Sequence, residues 1–202
     1  RHGFGYSVFT TTTAGIRSEL WVFVALDAAV RFSMLKVFNE SGRPRKLSVT
    51  GYVEWVMGDS REKSAMHVGT EVDPRTGALL ARNMYSADFS DRVAFFDVDD
   101  ASGNVTGDRR EFLGRNGSPQ KPVAMESARL SGRVGWGLDP CGAIRVTLDL
   151  AEGQDHEVIF RLGMGRGVDD ALRLVTRCRG TLAARSALDA VRRHWEHVVR
   201  AV

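Results

Sequence analysis

Apolar residues recur at every second position, or a multiple of it, along much of the chain. Leu47, Val49, Val53, Trp55 and Met57 alternate with Ser48, Thr50, Tyr52 and Glu54, and Ile144, Val146, Leu148 and Leu150 keep the two-residue period strictly. That period predicts strands with one buried face. Further strands are expected at 16–26, 30–38, 79–85, 92–98, 128–134, 143–150 and 157–162, where β-branched and aromatic residues cluster between Gly, Asn, Asp and Pro. A short Asp27-Ala28-Ala29 link joins 16–26 to 30–38. The Asn39-Glu40-Ser41-Gly42-Arg43-Pro44 stretch predicts a hairpin that folds the 30–38 strand back onto the next one.

The pattern changes near residue 166. Asp169 and Asp170 open a predicted helix at 168–177, where acidic side chains suit the positive end of the helix dipole. A second helix, 181–199, sets Leu188, Val191, Trp195 and Val198 on one stripe and Arg185, Asp189, Arg192, Arg193 and Glu196 opposite. The expected organisation is mainly β: a large antiparallel β-sandwich over 1–166, followed by C-terminal helices over 167–202.

Composition narrows the function classes. The chain has 202 residues, 43% hydrophobic and 26% charged, enough for a sizeable core without metal or disulfide support. Cys141 and Cys178 are too few for a disulfide framework and lack zinc-ligand spacing, which fits a reducing, cytoplasmic setting. The longest apolar run, 20–26, is of strand length. The net charge of +3 is spread over interleaved acids and bases, which argues against nucleic acid as a partner. The opening Arg1-His2-Gly3-Phe4-Gly5-Tyr6 begins in mid-pattern and reads as part of a longer polypeptide, with the first strands of the sandwich upstream.

Several motifs invite a chemical reading and support a plainer one. Gly163-Met164-Gly165-Arg166-Gly167 lies between a strand and a helix, but its third glycine comes one position early for a dinucleotide turn and no acidic strand end follows. A strand-to-helix turn is the better reading. Asp97-Val98-Asp99-Asp100-Ala101-Ser102-Gly103 resembles a calcium loop with Ala101 at a ligand position and the glycine misplaced, and so reads as a solvated turn. His194 and His197, three apart on an Arg-rich helix, read as solvent-facing rather than as metal ligands. Trp21, Trp55 and Trp136, with Tyr52 and Tyr85, could stack on sugar rings, or be core. No Ser or Cys sits with the histidines in a nucleophilic arrangement, so neither a catalytic residue nor a metal site is assigned.

Arg1-His2-Gly3-Phe4-Gly5-Tyr6-Ser7 and Leu47-Ser48-Val49-Thr50-Gly51-Tyr52-Val53-Glu54-Trp55 resemble the N-terminal β-sandwich of inverting glycoside phosphorylases of the cellobiose-phosphorylase type, including the matching part of cyclic β-1,2-glucan synthases. Thr70-Glu71, Leu80-Ala81-Arg82-Asn83, Thr106-Gly107-Asp108-Arg109, Glu111 to Gly117, Leu130-Ser131-Gly132-Arg133 and Gly137-Leu138-Asp139-Pro140-Cys141 continue the resemblance in order. It implies a galactose-mutarotase-like super-sandwich whose C-terminal helices link to an α/α barrel of the same polypeptide. In such enzymes an acid of the barrel protonates the glycosidic oxygen while inorganic phosphate attacks the anomeric carbon. By that resemblance the 202 residues are non-catalytic and bind no cofactor, and phosphate would bind the barrel.

The resemblance also implies that the loop 58–67 reaches the acceptor sugar of a β-glucan, with Arg61, Glu62 and His67 as candidate contacts. The Glu111 to Gly117 segment is expected to be a tight structural loop held by Arg115. A cytoplasmic location, as the soluble part of an inner-membrane protein, and homodimerisation through the Trp195 helix complete the expectations. The alternatives are a free-standing carbohydrate-binding module that displays Trp21, Trp55 or Trp136, and a purely structural or dimerising domain.

Overall fold

The computed structural model describes residues 1–86, 88–100 and 103–200. Its elements are β1 (His2–Gly3), β2 (Tyr6–Thr13), β3 (Ile16–Val24), β4 (Val30–Asn39), β5 (Arg45–Glu54), a short helix α1 (Arg61–Ser64) running into a 3-10 turn (Ala65–His67), β6 (Val68–Val72), β7 (Leu79–Asn83), β8 (Arg92–Val98), β9 (Asn104–Asp108), α2 (Arg109–Leu113), a second 3-10 turn (Val123–Glu126), β10 (Pro140–Leu150), β11 (Asp155–Arg166), α3 (Gly167–Cys178) and α4 (Thr181–Arg200). Eight strands form one sheet in the order β1-β2-β3-β4-β11-β8-β7-β6, and three form a second in the order β5-β10-β9. All pairs are antiparallel.

The two sheets face each other across Val37, Val53, Trp55, Phe96, Ile144, Val146, Leu148 and Phe160. The other face of the large sheet carries Phe23, Phe32, Phe95 and Ile159 into a second apolar layer with Ala171, Leu172, Val175, Leu188 and Val191 of α3 and α4. Each fully buried side chain of this kind stabilises the fold by roughly 1.5–3 kcal/mol, so both layers bind their elements firmly. Leu188 and Val191 of the α4 stripe therefore pack on the chain's own sheet, while Trp195 stacks beside Phe4 at 6.5 Å and Val198 is exposed. A third cluster, Phe112, Leu113, Ala124, Leu130, Cys141 and Ala143, lies outside the small sheet. There the buried Arg145 guanidinium donates to the carbonyls of Ala124 at 2.6 Å and Ser127 at 2.5 Å, pinning the second 3-10 turn.

Three expectations are corrected. The hairpin predicted across Asn39 to Pro44 does not form: β4 pairs with β3 and β11, and β5 pairs with β10. The connection instead turns a corner of the sandwich, so that Val37 and Val53 meet face to face across the core rather than edge to edge. Asn39 holds that corner. Its buried amide donates to the carbonyls of Arg43 at 2.8 Å, Leu150 at 3.2 Å and Ala151 at 2.9 Å, joining it to the β10–β11 corner.

The strand predicted at 128–134 is an irregular segment: Gly132 within it takes a positive φ that breaks the pleat, and Gly135 and Gly137 do the same just beyond it. It seams the two sheets through bonds from Gly132 N to Val105 O, Gly107 N to Arg133 O and Thr70 N to Gly135 O. Arg115 is exposed, and Glu111 holds its segment instead, accepting from Thr106 Oγ1 and Ser131 Oγ at 2.6 Å each and from Ser131 N at 2.8 Å.

Candidate functional site

The loop after β5 is built by local chemistry. Trp55 is buried in the inter-sheet core, and Met57 takes a positive φ of 42° that turns the chain outward. Asn83 Nδ2 donates to Met57 O at 2.9 Å, and Ser64 Oγ bonds back to Ser60 O at 2.8 Å. These contacts fix α1 against the end of β7, so the 58–67 stretch is an ordered element.

Within it the three candidate residues separate. Arg61 turns inward into a four-membered ion ring: its guanidinium donates to Glu54 Oε2 at 2.6 Å and to Asp139, while Arg109 donates to Glu54 Oε1 at 2.9 Å and approaches Asp139 Oδ2 at 3.5 Å. Tyr52 closes the ring with a 2.7 Å hydrogen bond to Glu54. Glu62 points to solvent. His67 stacks on Tyr85, with centroids 4.3 Å apart and planes 12° from parallel.

The electrostatics of the ring suit fixed charge rather than proton transfer. Burial opposes ionisation of Glu54, but hydrogen bonds from Tyr52 and Arg109 and the charge of Arg61 outweigh it, holding its carboxyl below the usual range. Glu111 follows the same logic, with burial overcome by bonds from Ser131 and Thr106. Burial and the Glu54 carboxylate push the Tyr52 hydroxyl well up, and burial does the same to the Cys141 thiol. A general acid needs a raised carboxyl and a nucleophilic thiol a lowered one, so these groups are poised for structure.

Because Glu54 and Glu111 have folded values below their unfolded ones, they stabilise the fold above the unfolded carboxylate value, about 4, and that contribution drains away as pH falls through the lower folded values. Thermal melts between pH 7 and 2 are expected to show the midpoint falling across that window. Glu54→Gln is expected to melt lower at pH 7 and to flatten the acid limb; an unchanged limb would remove Glu54 from the set of groups responsible.

The three tryptophans differ sharply. Trp55 is 4% exposed and belongs to the core. Trp21 stacks on Tyr6 at 5.4 Å and is covered by the Arg192 guanidinium at 4.8 Å, which fastens α4 to β3. Trp136 is 52% exposed. Its ring lies flat on Gly69: a Cβ built on Gly69 would meet three indole atoms at 2.4–2.6 Å. Sequence reasoning reached His67, Trp136 and Tyr85 separately and missed Arg82, which comes into play only through the β6–β7 register.

Among the described residues no three His, Cys, Asp or Glu side chains converge as metal ligands, and no helix is long and apolar enough to cross a membrane. Asp97, read from sequence as part of a solvated turn, is instead a buried residue of β8, because β11 sets Arg161 opposite it. Ala101 and Ser102 of that motif lie outside the described residues.

Comparison with known proteins gives a consistent picture. Residues 1–181 match the family model for the glycosyl hydrolase 94 supersandwich domain. The chain is 35% identical over 196 residues to cyclic beta-(1,2)-glucan synthase NdvB of Rhizobium meliloti, covering 96% of this chain and 7% of that protein. It is 27% identical over 206 residues to N,N'-diacetylchitobiose phosphorylase of Vibrio furnissii, covering 97% of this chain and 25% of the relative. Among solved structures, a polysaccharide lyase at 15% identity superposes with a TM-score of 0.50 over 83% of this chain and 23% of its own, a likeness of fold.

Proposed function

The chain belongs to the glycosyl hydrolase 94 supersandwich family, and from that premise we propose that it is the non-catalytic sandwich domain of a β-glucan-active transferase or phosphorylase. The observation that carries the reading is the 35% identity over 96% of this chain to a glucan synthase of which it spans only 7%. An α/α barrel in the same polypeptide would supply the proton donor and the phosphate site. The ring carboxylates support this division, since Glu54 and Asp139 are each bound by two arginines and Glu54 is held ionised.

In this reading α1 and its 3-10 turn face the acceptor side of the barrel. Glu62 and His67 are the acceptor-contacting candidates, and Arg61 positions them by tying α1 to Glu54 and Asp139. The test is phosphate-dependent release of glucose 1-phosphate from β-1,2-glucan, assayed with the 202-residue chain and with a longer protein that carries it. The longer protein is expected to turn over and the isolated chain to give none; turnover by the chain alone would sink the proposal.

A further inference from the structure

The outer face of the β6–β7 pair carries an open aromatic surface next to paired polar groups, and we propose that it is a glucan-binding platform on which Trp136 and Tyr85 stack the flat faces of successive pyranose rings. The ligand class rests on the functional reading above; the site rests on geometry.

The platform is a construction of the fold. Gly135 and Gly137 flank Trp136, both with positive φ, and Thr70 fixes the loop through its N–H to Gly135 O and through Gly135 N–H to Thr70 Oγ1, each at 3.1 Å. One indole face is thereby pressed onto the Gly69 backbone and the other is left open. In the 3-10 turn that leads into β6, His67 backs the ring of Tyr85, which is 78% exposed. Tyr85 is itself tethered by its backbone N–H to Asn83 Oδ1 at 3.0 Å. An aromatic ring held from behind and open in front is costly to leave in water and suited to a partner that is apolar on its face and polar at its edge.

The polar edge is present as well. Arg82 is the ladder partner of Gly69, and Glu71 lies two residues further along β6, so both side chains stand on the same face of the sheet as the indole. They pair at 3.4 Å, partly exposed. A guanidinium supplies forked donors and a carboxylate only acceptors, which together match the adjacent equatorial hydroxyls of a glucopyranose. A pyranose ring offers the complementary shape, with C–H groups on its face and hydroxyls around its rim.

The experiment is a titration of the 202-residue chain with linear β-1,2-gluco-oligosaccharides, followed by tryptophan fluorescence and calorimetry. Saturable binding with a fluorescence change is expected. Trp136→Ala should remove the fluorescence change and weaken binding at least ~10-fold, the loss of one stacking contact. Gly69→Ala keeps every ring yet pushes the indole off its seat, and should weaken binding similarly. Trp195→Phe should leave binding unchanged, and circular dichroism checks that each variant is folded.

Absence of saturable binding by the unaltered chain, or affinity untouched by Trp136→Ala, overturns the platform. The glucose 1-phosphate assay reads separately. An active longer protein whose sandwich binds no glucan defeats the platform and leaves the domain reading standing, whereas Trp136-dependent binding without phosphorolysis does the reverse.

Discussion

Asp97→Ala is expected to be among the most destabilising single substitutions in this chain, lowering stability by about 3–5 kcal/mol. Asp97 on β8 and Arg161 on β11 are direct ladder partners, and their side chains are 1% and 0% exposed. The Arg161 guanidinium donates to Asp97 Oδ2 through Nε at 3.0 Å and Nη2 at 2.6 Å, and through Nη1 to Asp99 Oδ1 at 2.6 Å and Cys178 O at 3.3 Å. Arg179 brings a second cation to the same carboxylate, and Gly180 N donates to Asp99 at 3.0 Å. Three consecutive residues at the elbow between α3 and α4 are thus bonded to this network.

Removing the Asp97 carboxylate leaves Arg161 wholly out of water with two of its four hydrogen bonds gone, and burial of an undercompensated charge dominates the balance. For a domain of this length the loss corresponds to a fall in Tm of roughly 10 °C. The double variant Asp97→Leu with Arg161→Met replaces charge by hydrocarbon of similar bulk and should recover most of the stability, because a buried pair gains little net over a good apolar substitute. A full single-variant loss with no recovery would mean that the bonds to the elbow, rather than the paired charge, dominate. A Tm unchanged in Asp97→Ala would mean that the network does not hold the elbow. Hydrogen exchange at the amides of 178–180 locates the effect, which should appear there before the rest of α4.

The elements that sequence made legible are those whose two faces differ. β5 and the end of β10, from Val146 to Leu150, alternate because one side packs against the large sheet and the other does not, and α4 shows its stripe because Leu188 and Val191 meet the sheet while Arg185 and Arg193 meet water. β2 was missed: Thr10–Thr13 are all exposed, so no buried set marks the period. β9 was missed because Gly107 interrupts it. What pairs with what was the least legible part. Alternation is the same whether a strand meets its neighbour edge to edge or across the core, and so the Asn39 to Pro44 turn reads as a hairpin when it is a corner between sheets.

The site was half legible for a related reason. The 58–67 loop announces itself by its own polarity, and the structure does order it. Some of the partners that give its residues their roles lie far away in sequence: Arg61 is claimed by Asp139 as well as by nearby Glu54, and His67 by Tyr85. An exposed Arg and a ring-bound Arg look identical in a string of letters. Only the register of β6 against β7, and of β10 against β5 and β9, brings those segments together.

The glycines at 163, 165 and 167 show the same limit and lead to the second large effect. Gly163 and Gly165 are residues of β11 itself, two apart and so on one face, while Gly167, with φ of 74°, opens α3. Their spacing reflects close packing. A Cβ on Gly165 would lie 2.4 Å from Ala171 N and 2.8 Å from Ala171 Cα and Asp170 C, all backbone atoms of α3. No rotamer change can relieve a contact of that kind; the helix must move off the strand.

Gly165→Ala is therefore expected to cost about 3 kcal/mol, and Gly165→Val more, as α3 lifts and withdraws Leu172 and Val175 from Phe95 and Ile159. The displacement would also strain the Arg166 N–H to Asp170 Oδ2 bond, 2.8 Å long, that starts the helix. Urea unfolding of the purified chain checks the magnitude. Exchange rates of the α3 amides check the mechanism, since a lifted helix loses protection even where the sheet keeps it. A Gly165→Ala chain within about 0.5 kcal/mol of the parent would show that α3 does not sit this close to β11.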